Sequence, residues 1–261
     1  MPPASAKLSR NNQRVYESGA VAEDYSTLED LFPAERTLLA RLERGLQGMR
    51  MLDLGVGGGR TTLHFAGRVK QYLGLDYSAA MIDRCRRRFP DRPAHMDFAV
   101  ADARDLSVHG EAAFDFILFS YNGLDYVDHD DRARVLRELR RVAAPGGWIC
   151  ISSHNLMSLG LSPAQAAASR PRWRSILRGL ILKMLNGDLR ALRAGAYAVI
   201  RDDGCRFRLR TYYVRPSEQV KRLLDLGLRD IQVFGLDGRE LPAEAADGAE
   251  DNWLYYLARV P

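Results

Sequence analysis

Three aspartates stand where apolar runs end. Asp53 falls within the run MLDL, Asp76 closes VKQYLGL, and Asp102 follows the run Met96–Ala101. Directly after the first run, four of the five residues 55–59 are glycine. Bare glycine backbone lets a ligand approach the main chain closely. A carboxylate accepts two hydrogen bonds at once and so suits a vicinal diol. An apolar run that breaks into glycine and then opens a helix is the first βα unit of a nucleotide-type fold. Beyond the fourth run, Phe114–Phe119, stand Ser120, Tyr121 and Asn122, and beyond the fifth, Trp148–Ser152, stand His154 and Asn155. Tyr121, Asn122 and His154 are the catalytic candidates. His154 is the expected general base, since imidazole titrates near neutral pH; a hydrogen-bonded structural histidine is the alternative. His64 and His95 fall inside helix and strand patterns and take no role.

These residues need a scaffold that brings strand ends to one edge. Pro33–Leu46 reads as a helix with Leu38, Leu39 and Leu42 on one face. Strands at Met49–Leu54, Val69–Leu75, Met96–Ala101, Phe114–Phe119 and Trp148–Ser152 alternate with helices at about Arg60–Gly67, Ala79–Phe89 and Asp130–Val142. Short apolar strands separated by helices imply a buried parallel sheet. Such sheets bind ligands beyond the carboxyl ends of their strands. After Asn155 the pattern changes. Pro163–Ala168 and Arg172–Leu185 read as helices, and Tyr197–Arg201 with Cys205–Val214 as a hairpin. A helix from Pro216 and strands at Leu228–Phe234 and Trp253–Val260 close the chain.

The glycine pattern decides between nucleotides. A dinucleotide fingerprint needs G-x-G-x-x-G. Counting from Gly55 the sixth residue is Arg60, and from Gly57 it is Thr62. An NAD(P) enzyme is therefore disfavoured. The pattern Asp53-x-Gly55-x-Gly57-x-Gly59 resembles the first motif of class I S-adenosylmethionine-dependent methyltransferases. GLDYSAAM around Asp76, Asp102-Ala103, Phe119–Asn122 and LRRVAAPGGWICISS (Leu139–Ser153) are similar to the family's later motifs. The resemblance runs from about Pro33 to Ser153 and resumes at Pro216.

The resemblance implies a doubly wound α/β fold with a seven-stranded, mostly parallel sheet and a helical/hairpin lid inserted after the fifth strand. It implies S-adenosylmethionine as cofactor, S-adenosylhomocysteine as product, and methyl transfer to an oxygen or nitrogen. Asp53, Gly55, Gly57 and Gly59 would wrap the methionine part, with Arg60 also among the cofactor-binding residues. Asp76 would take the ribose hydroxyls, Tyr77 and Met81 would flank the adenine, and Asp102-Ala103 would meet its amino group. Phe119 and Ser120 would lie beside the sulfonium. The donor carries no phosphate, so the turn need not be an anion nest. Carboxylates beside a sulfonium also avoid a cation–cation clash. The expected organisation is an arm over 1–32, a cofactor-binding core over 33–155, a basic insertion over 156–211 and the rest of the core over 212–261.

Charge and composition narrow the partner. The net charge is +5, but Asn155–Arg215 alone holds twelve Arg/Lys against three Asp. An anionic small-molecule acceptor, glycan- or lipid-linked or a natural-product intermediate, is one consequence; solvated arginine-rich faces are the other. RWRSILRGLILKML places Trp173, Ile176, Leu177, Leu180, Ile181 and Met184 on one helical face. Such a basic amphipathic helix lies on a membrane or covers an anionic ligand; a lid packed on the domain is favoured over membrane contact through 172–185. Tyr16, Tyr25, Asn155, Tyr212 and Tyr213 are the candidates for holding the acceptor, and only one of Tyr212 and Tyr213 should face inward. Nucleic acid is the less favoured partner, because no recognised RNA-binding module is present and motif four lacks the Pro-Pro-Tyr of base-nitrogen and glutamine methylators. An RNA methyltransferase using the basic insertion and a non-catalytic methyltransferase-like module remain the alternatives. The three cysteines form no CxxC or Cys/His cluster, so no metal is expected. The N-terminal stretch lacks an apolar leader core, and a cytoplasmic monomer or homodimer is expected.

Overall fold

A computed structural model describes residues 29–159, 172–202, 207 and 209–261, with the backbone alone for 172–176 and 178. The expected alternation is present. Strands β1 (Arg50–Leu54), β2 (Gln71–Asp76), β3 (Met96–Val100), β4 (Phe114–Phe119) and β5 (Ala143–Asn155) alternate with helices α1 (Pro33–Leu46, before β1), α2 (Thr62–Phe65), α3 (Ala79–Arg88) and α4 (His129–Val142). Helices α5 (Arg172–Asn186) and α6 (Leu189–Leu192) and the strands β6 (Tyr197–Ile200) and β7 (Thr211–Val214) follow. The chain closes with α7 (Pro216–Asp225), β8 (Arg229–Phe234), β9 (Glu240–Leu241) and β10 (Trp253–Arg259).

The sheet order is β3-β2-β1-β4-β5-β10-β8-β9. The first five are parallel to one another, and β10 is antiparallel to both β5 and β8. The chain steps outward from β1 through β2 to β3, then returns to β4 on the other side of β1. The strand order therefore reverses between β1 and β4, which is where ligands bind in such sheets. One apolar cluster packs α4 and α7 on one face, through Val135, Leu136, Leu139 and Leu223. A second packs α1 and α3 on the other, through Leu38, Leu42, Leu46, Ile82 and Cys85. Strands covered on both faces explain why β1 and β4 read as nearly unbroken apolar runs.

Several expectations need correction. Among the described residues the sheet has ten strands, three more than the seven expected. The additional three are the two-residue edge strand β9 and the hairpin β6–β7, which joins the sheet because β7 pairs with the end of β5. Strand β5 begins at Ala143, not Trp148, because the Pro-Gly-Gly turn stays in the ladder as an irregularity opposite Phe114–Phe116. Only glycine fits at 147: a Cβ there would stand 2.7 Å from the Asp115 carbonyl oxygen. The helix expected from Arg60 starts at Thr62 and passes into a 3-10 turn at Ala66–Arg68.

The helix expected at Pro163–Ala168 lies outside the described residues. Helix α5 is present, but Leu177, Leu180 and Met184 on its apolar face are exposed. Among the described residues no helix is long and apolar enough to cross a membrane, and no cluster of His, Cys, Asp or Glu could hold a metal ion.

Candidate cofactor cleft and acceptor site

The glycine turn needs a backbone that side chains resist. Gly55, Gly57 and Gly59 have φ of +63°, +55° and +81°. The Gly57 N–H donates to Asp76 Oδ2 at 3.0 Å and the Ser78 N–H to Oδ1 at 2.8 Å. Burial pushes the Asp76 carboxyl up, while those two N–H groups pull it back. Asp53 lies beneath the turn. Its Oδ2 accepts from the Thr61 hydroxyl at 2.5 Å and from the Tyr72 hydroxyl at 2.6 Å. Burial pushes Asp53 up to about 6, against the pull of those hydroxyls.

A cavity opens above the turn at the β1/β4 reversal. Asp53, Gly55, Gly57, Asp76, Tyr77, Met81, Asp102, Ala103, Phe119, Ser120 and Tyr121 all line it. These residues fit an adenosyl cofactor. The Asp76 carboxylate has about four acceptor positions, two of them used by main chain, so a vicinal diol can take the rest. Apolar Met81, Leu124, Val127 and Val135 suit a flat base. Of the expected cofactor residues, Gly59 does not line the cavity: it packs outward, where a Cβ would meet the Phe89 ring at 2.7 Å.

Two charged residues are engaged differently from expectation. Arg60 borders the cavity, but its guanidinium is bound to Glu35, with Nη2 to Oε1 at 2.6 Å and a second bond from Nη1 to Oε2. Glu35 is fully buried at the start of α1 and also accepts from the Phe32 N–H at 2.8 Å and from the Ser120 hydroxyl. Arg60 therefore positions the turn rather than reaching for a ligand. Asp102 is paired with Arg104, Nε to Oδ1 at 3.0 Å, and Arg104 also reaches Asp131 at 2.8 Å. Burial alone would raise the Asp102 carboxyl, but Arg104 holds it below the ordinary range. Glu35 carries no signal in the sequence, since nothing in its spacing announces Arg60.

At the acceptor end the backbone is strained. Tyr121 and Asn122 both have positive φ, +54° and +62°. Consecutive left-handed non-glycine residues are costly and cluster at functional sites. Tyr121 stacks on Phe32 at 5.2 Å and meets Trp253 edge-on at 6.1 Å, and Arg60 lies over both the Phe32 and Tyr121 rings. Asn122 is held by its N–H on Ser152 Oγ at 2.7 Å, and its Nδ2 lies 3.5 Å from His154 Nε2.

His154 is not among the residues that line this cavity; its side chain is 14% exposed beside Asn122. Sheet register explains its surroundings: His154 pairs with Trp253 on one side and Tyr213 on the other. The Tyr213 ring stands 4.8 Å from the imidazole and the Trp253 ring 6.3 Å. The ring's other nitrogen, Nδ1, meets Asp125 Oδ2 at 2.7 Å. Asp125 was not expected here; it lies in a 3-10 turn, Gly123–Tyr126, where no periodicity marks it.

Three acceptor candidates come out differently. Asn155 is fully buried, its Nδ2 on the Ala249 and Asp251 carbonyls at 2.8 and 3.1 Å and its Oδ1 capping Met157 N–H at 2.9 Å. That fully buried amide ties the end of β5 to the loop before β10, with both of its N–H donors spent. Tyr212 is buried, with its hydroxyl on His129 Nδ1 and Arg222 Nη1, both at 2.8 Å. Tyr213 is the one of the pair that faces His154. Tyr16 and Tyr25 lie outside the described residues.

Comparison with known proteins agrees with this geometry. Residues 51–147 match the family model described as a methyltransferase domain. The tRNA 5-carboxymethoxyuridine methyltransferase of Escherichia coli (strain K12) is 35% identical over 119 residues, 45% of this chain and 44% of that protein. The biotin biosynthesis bifunctional protein BioHC of Cellvibrio japonicus is 28% identical over 242 residues, 88% of this chain and 44% of that protein. The chain spans about half the length of the curated relatives it matches. Among solved structures, a 1,6-didemethyltoxoflavin-N1-methyltransferase of Burkholderia thailandensis with bound S-adenosylhomocysteine superposes with a TM-score of 0.62 at 16% identity, over 100% of this chain and 91% of that one. An S-adenosylmethionine-dependent methyltransferase of Mesorhizobium loti gives 0.58 at 20% identity, over 87% and 97%. The glycine turn, the aspartates at the strand ends and the reversal between β1 and β4 thus lie within residues 51–147, which match a methyltransferase domain, in a chain that shares its fold with S-adenosylmethionine-dependent methyltransferases of known structure.

Proposed function

We propose that the protein methylates an oxygen or nitrogen of a small molecule. The observation that carries this reading is the Asp76 carboxylate, held by the Gly57 and Ser78 N–H groups at the cavity where the strand order reverses. When bound, the cofactor supplies a methyl group on a sulfonium, already a good leaving group, so the chain's task is largely orientation. Asp76 holds the ribose, the glycine turn admits the amino-acid part, and Tyr121 with Asn122 borders the acceptor. His154 acts as general base toward an acceptor proton. The basic insertion over 156–211 selects the acceptor and favours an anionic one; the arm over 1–32 and the core parts 33–155 and 212–261 complete the unit, in a cytoplasmic monomer or homodimer.

Calorimetry with S-adenosylhomocysteine tests the reading. We expect saturable one-site binding and a raised melting temperature, as any ligand that binds only the folded state produces. NAD should do neither. Binding of NAD and not of the adenosyl thioether would replace this function by a dinucleotide one.

A second reading has its own observation. The charge concentrated in Asn155–Arg215 and the similarity to a tRNA methyltransferase favour RNA as the acceptor. Phosphate contacts would then make RNA binding fall steeply with salt.

A further inference from the structure

The His154 imidazole is one end of a buried polar chain. Asp125 Oδ2 accepts from the His154 main-chain N–H at 2.6 Å and faces its ring Nδ1 at 2.7 Å. The same carboxylate thus grips residue 154 by backbone and by ring. Its other oxygen, Oδ1, accepts from Arg132 Nη1 and from the Ser153 hydroxyl, each at 2.6 Å. Arg132 in turn donates to the Leu124 carbonyl at 3.0 Å, to Ser153 Oγ at 2.9 Å and to Gln219 Oε1 at 2.8 Å. The Tyr212 ring lies against its guanidinium, 4.8 Å away. Asp125, Arg132, Ser153 and Gln219 are all fully buried.

Burying a charged pair is expensive, and apolar residues of similar size often do as well for stability. This pair does something an apolar pair cannot. An ionised carboxylate only accepts hydrogen bonds, so the ring atom facing Asp125 must carry its proton. In the neutral imidazole the proton then sits on Nδ1 and the lone pair on Nε2. Nε2 is the atom turned toward Asn122, the neighbour of the cavity-lining Tyr121. Arg132 balances the aspartate, so the assembly stays uncharged until the imidazole takes up a proton.

Resting on the assignment of His154 as general base, we propose that Asp125, charge-balanced by Arg132, is a positioning residue that holds His154 as the Nδ1–H tautomer with Nε2 as proton acceptor for a hydroxyl acceptor. The hydroxyl O–H bond breaks, its proton forms the N–H bond at Nε2, and the electron pair stays on the oxygen, which is the nucleophile. The proton then leaves to water. An acceptor atom with no proton to lose would have no use for this arrangement.

The substitution Asp125→Asn tests it, because all four partners of the carboxylate are hydrogen-bond donors or ring nitrogens. An amide has one acceptor and one donor side. Turning the NH2 toward Arg132 sets a donor against a charged guanidinium, whereas turning it toward His154 gives up only the main-chain N–H bond, so it turns to His154 and donates to Nδ1. The tautomer must then reverse. Groups bearing on the ring are Asp125 from the 3-10 turn, Arg132 from α4, Asn122 from the β4 loop, Tyr213 with Asp202 from the hairpin, and Trp253 from β10.

The measurement is a long-range nitrogen–proton spectrum of histidine-labelled full-length protein at about pH 8.5, above the ordinary imidazole range. His154 is assigned by the signals lost in His154→Gln. We expect protonated Nδ1 and bare Nε2 in the unsubstituted protein, and the reverse in D125N. Protonated Nε2 in the unsubstituted protein, or an unchanged tautomer in folded D125N, overturns the proposal. If D125N does not fold, the first spectrum alone decides. Binding of S-adenosylhomocysteine, which D125N should leave unchanged, tests the cofactor reading separately: failure there removes the methyltransferase function and leaves the tautomer result standing.

Discussion

The Glu35 carboxylate and the Arg60 guanidinium form a two-armed buried pair that locks the first helix to the glycine turn. The pair also sets the floor of the acceptor end, since Glu35 takes the Ser120 hydroxyl and Arg60 lies over Tyr121. Removing one partner of such a pair strands a buried charge and costs about 3–5 kcal/mol. We therefore expect Glu35→Leu to lower the unfolding free energy in urea by about that amount. The double variant Glu35→Leu/Arg60→Met should recover much of the loss. Additive losses would show that the two residues act independently.

Asp53 should leave a signature in pH. Burial raises its pKa from the ordinary 3.8 to about 6. Between those values the folded chain binds more protons than the unfolded one, so this group's contribution to stability falls as pH rises through about 4 to 6. The full change is on the order of 3 kcal/mol. In Asp53→Asn the amide carbonyl can still accept from Thr61 and Tyr72, and the pH-dependent part disappears. The wild-type-minus-variant difference in unfolding free energy should decline across that window; a flat difference would mean Asp53 is not perturbed.

Two glycines in one turn should fail in different ways. At Gly59 an added Cβ would sit 2.7 Å from the Phe89 ring, whereas at Gly57 its nearest neighbour would be the Gly55 carbonyl oxygen at 3.9 Å. Gly59→Ala should therefore destabilise the fold by about 1–3 kcal/mol through crowding and positive φ. Gly57→Ala should cost the fold only its backbone strain, about 1–2 kcal/mol, yet put a methyl group at the cavity wall and weaken S-adenosylhomocysteine binding strongly. Thermal unfolding and calorimetry on both variants separate the two effects.

Asp76→Ala should remove both the diol acceptor and the brace on the turn. Each hydrogen bond to a charged group is worth about 1.5–3 kcal/mol, so affinity for S-adenosylhomocysteine should fall about 100-fold or more by calorimetry. An affinity within a few-fold of the original would take Asp76 out of the ribose role.

Much of this protein was written along the chain. Apolar runs of strand length, each ended by a polar residue, set out β1 to β4 and placed Asp53, Asp76, Asp102 and Ser120 at one sheet edge. Local backbone needs did the same for the glycine turn, because positive φ selects glycine at the residue itself. That only one of Tyr212 and Tyr213 faces inward follows from strand alternation; that it is Tyr213 was decided by the pairing of β7 with the end of β5.

What neighbouring residues could not specify was which polar groups meet across the fold. Glu35 finds Arg60, Asp102 finds Arg104, and His154 finds Asp125 because helices, turns and strand ends converge there. Asn155 looked available at a strand end and is instead spent on the loop before β10. Secondary structure is encoded by short-range periodicity. Charge pairing depends on long-range packing, where a buried group must take whatever partner the fold brings within hydrogen-bonding distance.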